Sequence, residues 1–314
     1  MRTSAPTPLL DRSVLLVTGK GGVGKTTIAA ALGLLAVERG HRTMLVELGD
    51  QHRVPRLFGV ADPELGEEAQ LADGLWTTSI DPYQTLIEWM DTQIAGRVPA
   101  RVLGGSQTFH YFVAAAPGAK EVLAMTKVWD LAQAERWQRK ARRYELVIVD
   151  APATGHALGM LRAPRTVAGV ARVGPVAHQA QRVRDFLEDP EHSGVMAVAQ
   201  PTEMAVTETL DLGRRLDDEI GQALEAIVVN GVVPQRFSDE ELDLLDVAAR
   251  ADGTLTAAAA RAARAIHRRA AAQEGQIERL SEASARTITV PFAFVPELGL
   301  DEVRAIASRL GELL

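Results

Sequence analysis

The sequence predicts an α/β fold, a doubly wound and mostly parallel sheet that carries a helical insertion. Three observations point to it. Short runs of β-forming residues recur along the chain, they are apolar on both faces instead of alternating, and helical patterns lie between them. Strands are accordingly expected at 14–17, 44–46, 146–149, 195–198, 227–229 and 287–290. Between the first two, residues 26–39 read as a helix, and Gly40 is the residue type that most readily takes the left-handed conformation ending one. The next strand follows almost at once, which sets a β-α-β rhythm.

That rhythm breaks once. Roughly a hundred residues separate the second expected strand from the one beginning at Leu146, far more than a crossover helix requires. A helical insertion is expected at about 76–142, within a single domain spanning 1–314. All four tryptophans (Trp76, Trp89, Trp129, Trp137) and all three tyrosines (Tyr83, Tyr111, Tyr144) fall in it or just after it, together with Phe109 and Phe112. These rings either fill the core of a helical subdomain or line an apolar groove for a partner helix, and both readings stay open. A second helical region, 239–286, is alanine-rich at 257–260 and 270–272 and contains no proline. Arg261, Arg264 and Arg268 recur there at helical spacing, which reads as a solvated basic face.

The 314 residues are 46% apolar and 24% charged, so the chain can bury a core and is neither fibrous nor mainly disordered. Its 34 basic and 41 acidic side chains leave a formal charge of −7, the sign opposite to that of a duplex-coating protein, and no nucleic acid partner is expected. The absence of cysteine excludes disulfides, thiolate zinc sites, iron–sulfur ligation and cysteine nucleophiles. The apolar stretch 28–37 stops at Glu38 and Arg39, short of the about 20 residues a spanning helix needs. Leu9 and Leu10 run into Asp11 and Arg12 before the apolar centre of an export signal can form. A soluble, cytoplasmic protein is expected.

The strongest signal is Gly19-Lys20-Gly21-Gly22-Val23-Gly24-Lys25-Thr26, which fits G-x-x-x-x-G-K-[ST] directly after an expected strand and directly before an expected helix. The glycines let backbone N–H groups turn inward around phosphate oxygens, and the helix adds the positive end of its dipole. Lys25 is expected to bridge the β and γ phosphates of a nucleoside triphosphate. Thr26 is expected to place its hydroxyl on Mg²⁺, and Thr27 to reach the α phosphate. The run 146–149 ends in Asp150, the position from which a carboxylate holds Mg²⁺ through its waters.

Lys20 adds a second lysine immediately after the first glycine. This G-K-G-G-V-G-K-T-T form resembles the deviant phosphate loop (Walker A) of the P-loop NTPase family that includes ParA, MinD, the nitrogenase iron protein, ArsA and the guided-entry targeting ATPases. Ala151-Pro152-Ala153-Thr154-Gly155-His156, with Leu158 and Leu161 beyond, is similar to the second switch of the ArsA and guided-entry branch. The resemblance implies a dimer with ATP at its interface and Lys20 reaching the partner's nucleotide as an arginine finger does. It further implies that Asn230 reads the adenine edge and that Pro291-Phe292 closes over the base, although the latter pair is equally a plain strand exit. Pro201-Thr202-Glu203 through Glu208 is similar to the family loop that follows the next strand.

One motif departs from the family pattern. Where the first switch usually supplies a water-orienting aspartate, this chain reads Glu47-Leu48-Gly49-Asp50-Gln51-His52, and Gly49 takes the aspartate's place. Asp50, displaced by one residue, is the working candidate for the base, with Glu47 as the alternative. The lack of thiolates excludes arsenite capture by cysteine and a cysteine zinc clamp. The resemblance thus implies a Mg²⁺-dependent ATPase forming a homodimer, or a heterodimer with a paralogous ATPase, whose aromatic-rich insertion receives a hydrophobic helix or a membrane-protein client. The rivals are a low-turnover ATP-sensing subunit and a partitioning ATPase like ParA or MinD, whose DNA binding would respond to ATP.

Overall fold

The computed structural model describes residues 7–48, 52–93, 118–138, 140–171, 173–251, 254–283 and 286–314. Its strands are β1 (Val14–Thr18), β2 (Thr43–Leu48), β3 (Ala69–Ala72), β4 (Leu75–Ile80), β5 (Leu146–Asp150), β6 (Ser193–Ala199), β7 (Leu224–Val232) and β8 (Arg286–Pro291). They form one sheet in the order β3, β4, β2, β5, β1, β6, β7, β8. Every adjacent pair is parallel except β3 with β4. All six expected strands are present, each extended at one or both ends, and the expected α/β class holds.

Alternation along the strands divides the core into two layers. Leu15, Val17, Leu45, Ile148, Met196 and Val198 face α1 (Lys25–Glu38) and α10 (Leu300–Leu313), and all are buried. Val14, Leu16, Met44, Val46, Val147 and Val149 face the opposite layer. That layer holds α4 (Ala119–Leu131), α5 (Thr154–Ala171), α6 (Pro175–Glu188) and α7 (Glu203–Ile220). Because both faces are covered, strand residues need no polar side, which is why the sequence shows continuous apolar runs. Helix α1 is likewise buried over most of its circumference, with Ile28, Ala29, Ala30, Ala31 and Leu32 inaccessible. Each large aliphatic side chain there contributes about 1.5–3 kcal/mol by leaving water.

The interval from 47 to 145 differs from its expectation. Leu75–Ile80 is not the start of a helical insertion but a fully buried strand paired in parallel with β2, and β3 lies antiparallel at its outer edge. Trp76 belongs to this strand and packs on Tyr144, with ring centroids 5.8 Å apart. The apolar-run criterion misses β4 because Thr77, Thr78 and Ser79 are polar yet buried. Helical structure begins later, with α3 (Pro82–Gln93), followed by α4. Trp76, Trp129 and Tyr144 are buried, so these rings serve a closed core; Tyr111, Phe109 and Phe112 lie outside the described residues. The second helical region comprises α8 (Asp239–Ala251) and α9 (Thr254–Ser281). On α9, Arg261 and Arg268 are exposed, while Arg264 pairs with Asp243 and Asp246 of α8.

This topology places three strand ends together. β2, β5 and β1 are consecutive in the sheet, and their carboxyl ends open beneath the amino end of α1. Crevices at such ends are where open α/β sheets bind ligands.

Candidate functional site

The loop between β1 and α1 is shaped by glycine. Gly19 has φ +151°, and a Cβ there would lie 2.0 Å from the Val198 carbonyl oxygen, so only glycine lets the chain pass this close to β6. Gly24, at φ +97°, forms the N-cap of α1 without contributing a side-chain hydrogen bond, leaving the first-turn N–H groups of that helix for an external acceptor. A Cβ on Gly24 would meet the Asn230 amide nitrogen at 2.3 Å.

Side chains fix the loop from several sides. Lys25 Nζ folds back and donates to the carbonyls of Gly19 at 3.1 Å and Lys20 at 3.0 Å. Thr26 Oγ1 donates to Asp150 Oδ2 at 2.6 Å, joining the start of α1 to the end of β5. Thr18 Oγ1 donates to the Pro152 carbonyl at 3.0 Å, tying β1 to the segment after Asp150. From the far flank, Asn230 Nδ2 donates to the Val23 carbonyl at 2.8 Å. Lys20 pairs with Glu208 of α7 of the same chain, Nζ to Oε1 at 2.6 Å. Thr27 follows Thr26 into the first turn of α1 and is half-buried.

A cavity of about 230 Å³ opens in front of the loop, lined among others by Gly21, Gly22, Lys25, Glu47, Arg53 and Asp150. It is smaller than the ~300–1,000 Å³ typical of a site for a whole small ligand and suits a polyanionic tail with its cation. Two cations and two carboxylates therefore converge on one small space. The oxygen-only donor set of Thr26, Asp150 and Glu47 fits a hard divalent cation such as Mg²⁺. No group of three or more histidine or carboxylate side chains able to hold a metal by itself occurs among the described residues.

Burial dominates the electrostatics of the site. It lowers the Lys25 pKa, against the attraction of Asp150. It raises the pKa of Asp150, against the Thr26 hydrogen bond and the charges of Lys25 and Arg53. It also raises the pKa of Glu47, which the Arg53 and Val54 backbone N–H groups oppose and Asp150 reinforces. With folded-state values above the unfolded ones, the stability tied to these carboxylates is fully present below the ordinary carboxylate range. It is lost as pH climbs through the raised values. Glu47→Gln is thus expected to raise the melting temperature of the ligand-free protein at about pH 8 and to lose that advantage toward about pH 4. Paired melting curves across this range check it, and a pH-independent difference would contradict it.

The other expected contacts are more dispersed. Asn230 and Pro291 sit on neighbouring strands, where Asn230 is in register with Val290 and Val232 with Pro291. The Phe292 N–H donates to the Val232 carbonyl, and the half-exposed Phe292 ring meets Phe294 edge-on with centroids 4.9 Å apart. These residues flank the loop on the side away from Asp150. Gly49 and Asp50 lie outside the described residues. Arg53, in the first turn of α2 (Arg53–Leu57), was not among the expected site residues. Its signal in the sequence was its place directly after the first-switch run 47–52, five residues beyond the end of β2 at Leu48. His156, in the first turn of α5, lines a separate cavity of about 480 Å³ with Leu48, Ile80, Lys120, Glu121 and Met160.

Residues 12–173, from the start of β1 through the phosphate loop and Asp150 to the end of α5, match the family model described as anion-transporting ATPase. The chain belongs to the anion-transporting ATPase (ArsA) family. It is 29% identical over 266 residues to ATPase BagA of Mycobacterium tuberculosis, covering 82% of this chain and 74% of that protein. It is 25% identical over 275 residues to ATPase GET3C of Arabidopsis thaliana, covering 73% of this chain and 69% of that one. A putative arsenical pump-driving ATPase of Halobacterium salinarum is 25% identical over 244 residues; the match takes in 74% of this chain but 37% of that longer protein. The expected family and the P-loop NTPase fold class therefore both hold. For an ArsA-family member, the convergence of the loop, Lys25, Thr26 and Asp150 on one cavity is the part of the geometry most directly suited to a nucleotide.

Proposed function

We propose that this chain is a Mg²⁺-dependent ATPase that hydrolyses ATP as a dimer, either with its own copy or with a paralogous chain. The observation that carries this reading is the linked pair Thr26–Asp150 beside the inward-facing loop and Lys25. The loop amides, that of Val23 among them, and Lys25 bind the phosphates, Thr26 and Asp150 hold the cation, and Asn230, Pro291 and Phe292 border the base. When bound, Mg²⁺ supplies charge neutralisation at the transferred phosphoryl group. Excluding water from the remaining cavity strengthens each of these contacts.

Lys20 serves the partner's nucleotide in this reading, and to do so it leaves Glu208. That release is cheap, because the two side chains are 31% and 40% exposed and such pairs contribute about 0–1 kcal/mol. Lys20→Ala is therefore expected to leave the melting temperature nearly unchanged while lowering phosphate release by about 10²–10³-fold. Steady-state phosphate release by the purified chain with Mg²⁺ and ATP tests the reading, with sedimentation to follow dimer formation. No release, with dimers still forming on ATP, would favour the second reading, a low-turnover ATP-sensing subunit. That alternative is motivated by Gly49 in place of the first-switch aspartate.

The cavity beside His156 shares Leu48 and Pro152 with the phosphate cavity, so a change at the γ phosphate is positioned to alter contacts with α3 and α4. We place the response to nucleotide there, and a hydrophobic-helix or membrane-protein client beyond it. No helix among the described residues is long and apolar enough to cross a membrane. We place the protein in the cytoplasm.

A further inference from the structure

Glu47 lines the phosphate cavity beside Asp150, and neither the phosphates nor the base of the nucleotide needs it. The residue is 2% exposed. Oε1 accepts the Arg53 backbone N–H at 2.8 Å, whereas Oε2 is buried without a hydrogen-bond partner among the described residues. Burying a carboxylate oxygen unpaired costs several kcal/mol. The charge beside it makes matters worse, since Glu47 and Asp150 are register partners on the adjacent strands β2 and β5.

Alternation fixes their direction. Leu45 and Ile148, two residues before each of them, belong to the core layer beneath α1, so both carboxylates point to that same face and to the start of that helix. There Asp150 already accepts the Thr26 hydroxyl, and Lys25 directs its ammonium to the carbonyls of Gly19 and Lys20. Two adjacent carboxylates and a hydroxyl, with one oxygen unsatisfied, make a corner that a hard divalent cation completes. Glu47 also stands level with Asp150 in the sheet, whereas the water-orienting aspartate of the family pattern is expected two residues further on, at Gly49. Its depth suits the cation better than the attacking water.

We propose that Glu47 is a second carboxylate of the Mg²⁺ shell, acting with Asp150 and Thr26, and that it is not the base. The inference rests on the reading of the site as one for Mg²⁺ and ATP.

The test titrates MgCl₂ into purified protein with the fluorescent analogue mant-ATP and compares wild type with Glu47→Gln, using Asp150→Asn as the reference variant. Glu47→Gln keeps an oxygen for the Arg53 N–H, and mant-ATP binding in EDTA together with the melting curve reports its fold. The Mg²⁺ midpoint of Glu47→Gln is expected to rise about 10–100-fold, with EDTA binding retained and phosphate release recovered at saturating Mg²⁺. An unchanged midpoint overturns the proposal. So does a variant that stays inactive at saturating Mg²⁺ with a normal midpoint, which would return Glu47 to the water. Wild-type protein that binds no mant-ATP at any Mg²⁺ concentration instead defeats the parent reading, and this one with it.

Discussion

Lys25→Ala is expected to abolish measurable phosphate release and to weaken ATP binding by at least about a hundredfold. Each charge-assisted hydrogen bond contributes about 1.5–3 kcal/mol, and in the proposed reading this ammonium bonds to two phosphates. The loss has a second origin in the ligand-free protein. Lys25 holds the loop by donating to the carbonyls of Gly19 and Lys20, so its removal also loosens the cradle that must be ready when phosphate arrives. Restoring length without charge, as in Lys25→Met, is expected to recover none of the activity. Turnover and affinity measured on both variants decide the matter. Undiminished phosphate release from either would show that chemistry takes place elsewhere in the molecule.

The second large effect falls on folding. Gly19→Ala would bring a Cβ to 2.0 Å from the Val198 carbonyl oxygen, a backbone atom of a central strand that has no room to move, at a φ of +151° that side chains disfavour. A loss of about 3 kcal/mol is expected, which for a chain of this size corresponds to a fall of about 5 °C or more in melting temperature. Gly21→Ala makes the contrast, because a Cβ there meets nothing within 4 Å. Its melting temperature is expected to stay close to wild type. Similar losses for both variants would mean that the close approach of the loop to β6 is wrong.

Much of the site was legible because its signals are local. The loop motif, the strand before it and the helix after it occupy one unbroken stretch, and Asp150 stands at the end of an apolar run that could only be a buried strand. What the sequence hid depends on distant packing. The Lys20–Glu208 pair joins residues 188 positions apart, and Asn230 reaches the Val23 carbonyl across 207. No spacing rule reports such contacts. Strand β4 escaped notice because burial of Thr77, Thr78 and Ser79 is decided by neighbouring elements and not by their own polarity. Glu47 stood in plain view within the first-switch segment, but its burial and its unsatisfied oxygen emerge only once β2 is laid beside β5.

Calorimetric titration of ATP into the purified chain at millimolar Mg²⁺ tests the central claim most directly. Saturable heat with one nucleotide per chain is expected, lost on Lys25→Ala. Absence of any binding heat from the folded wild-type protein would contradict the account at its root.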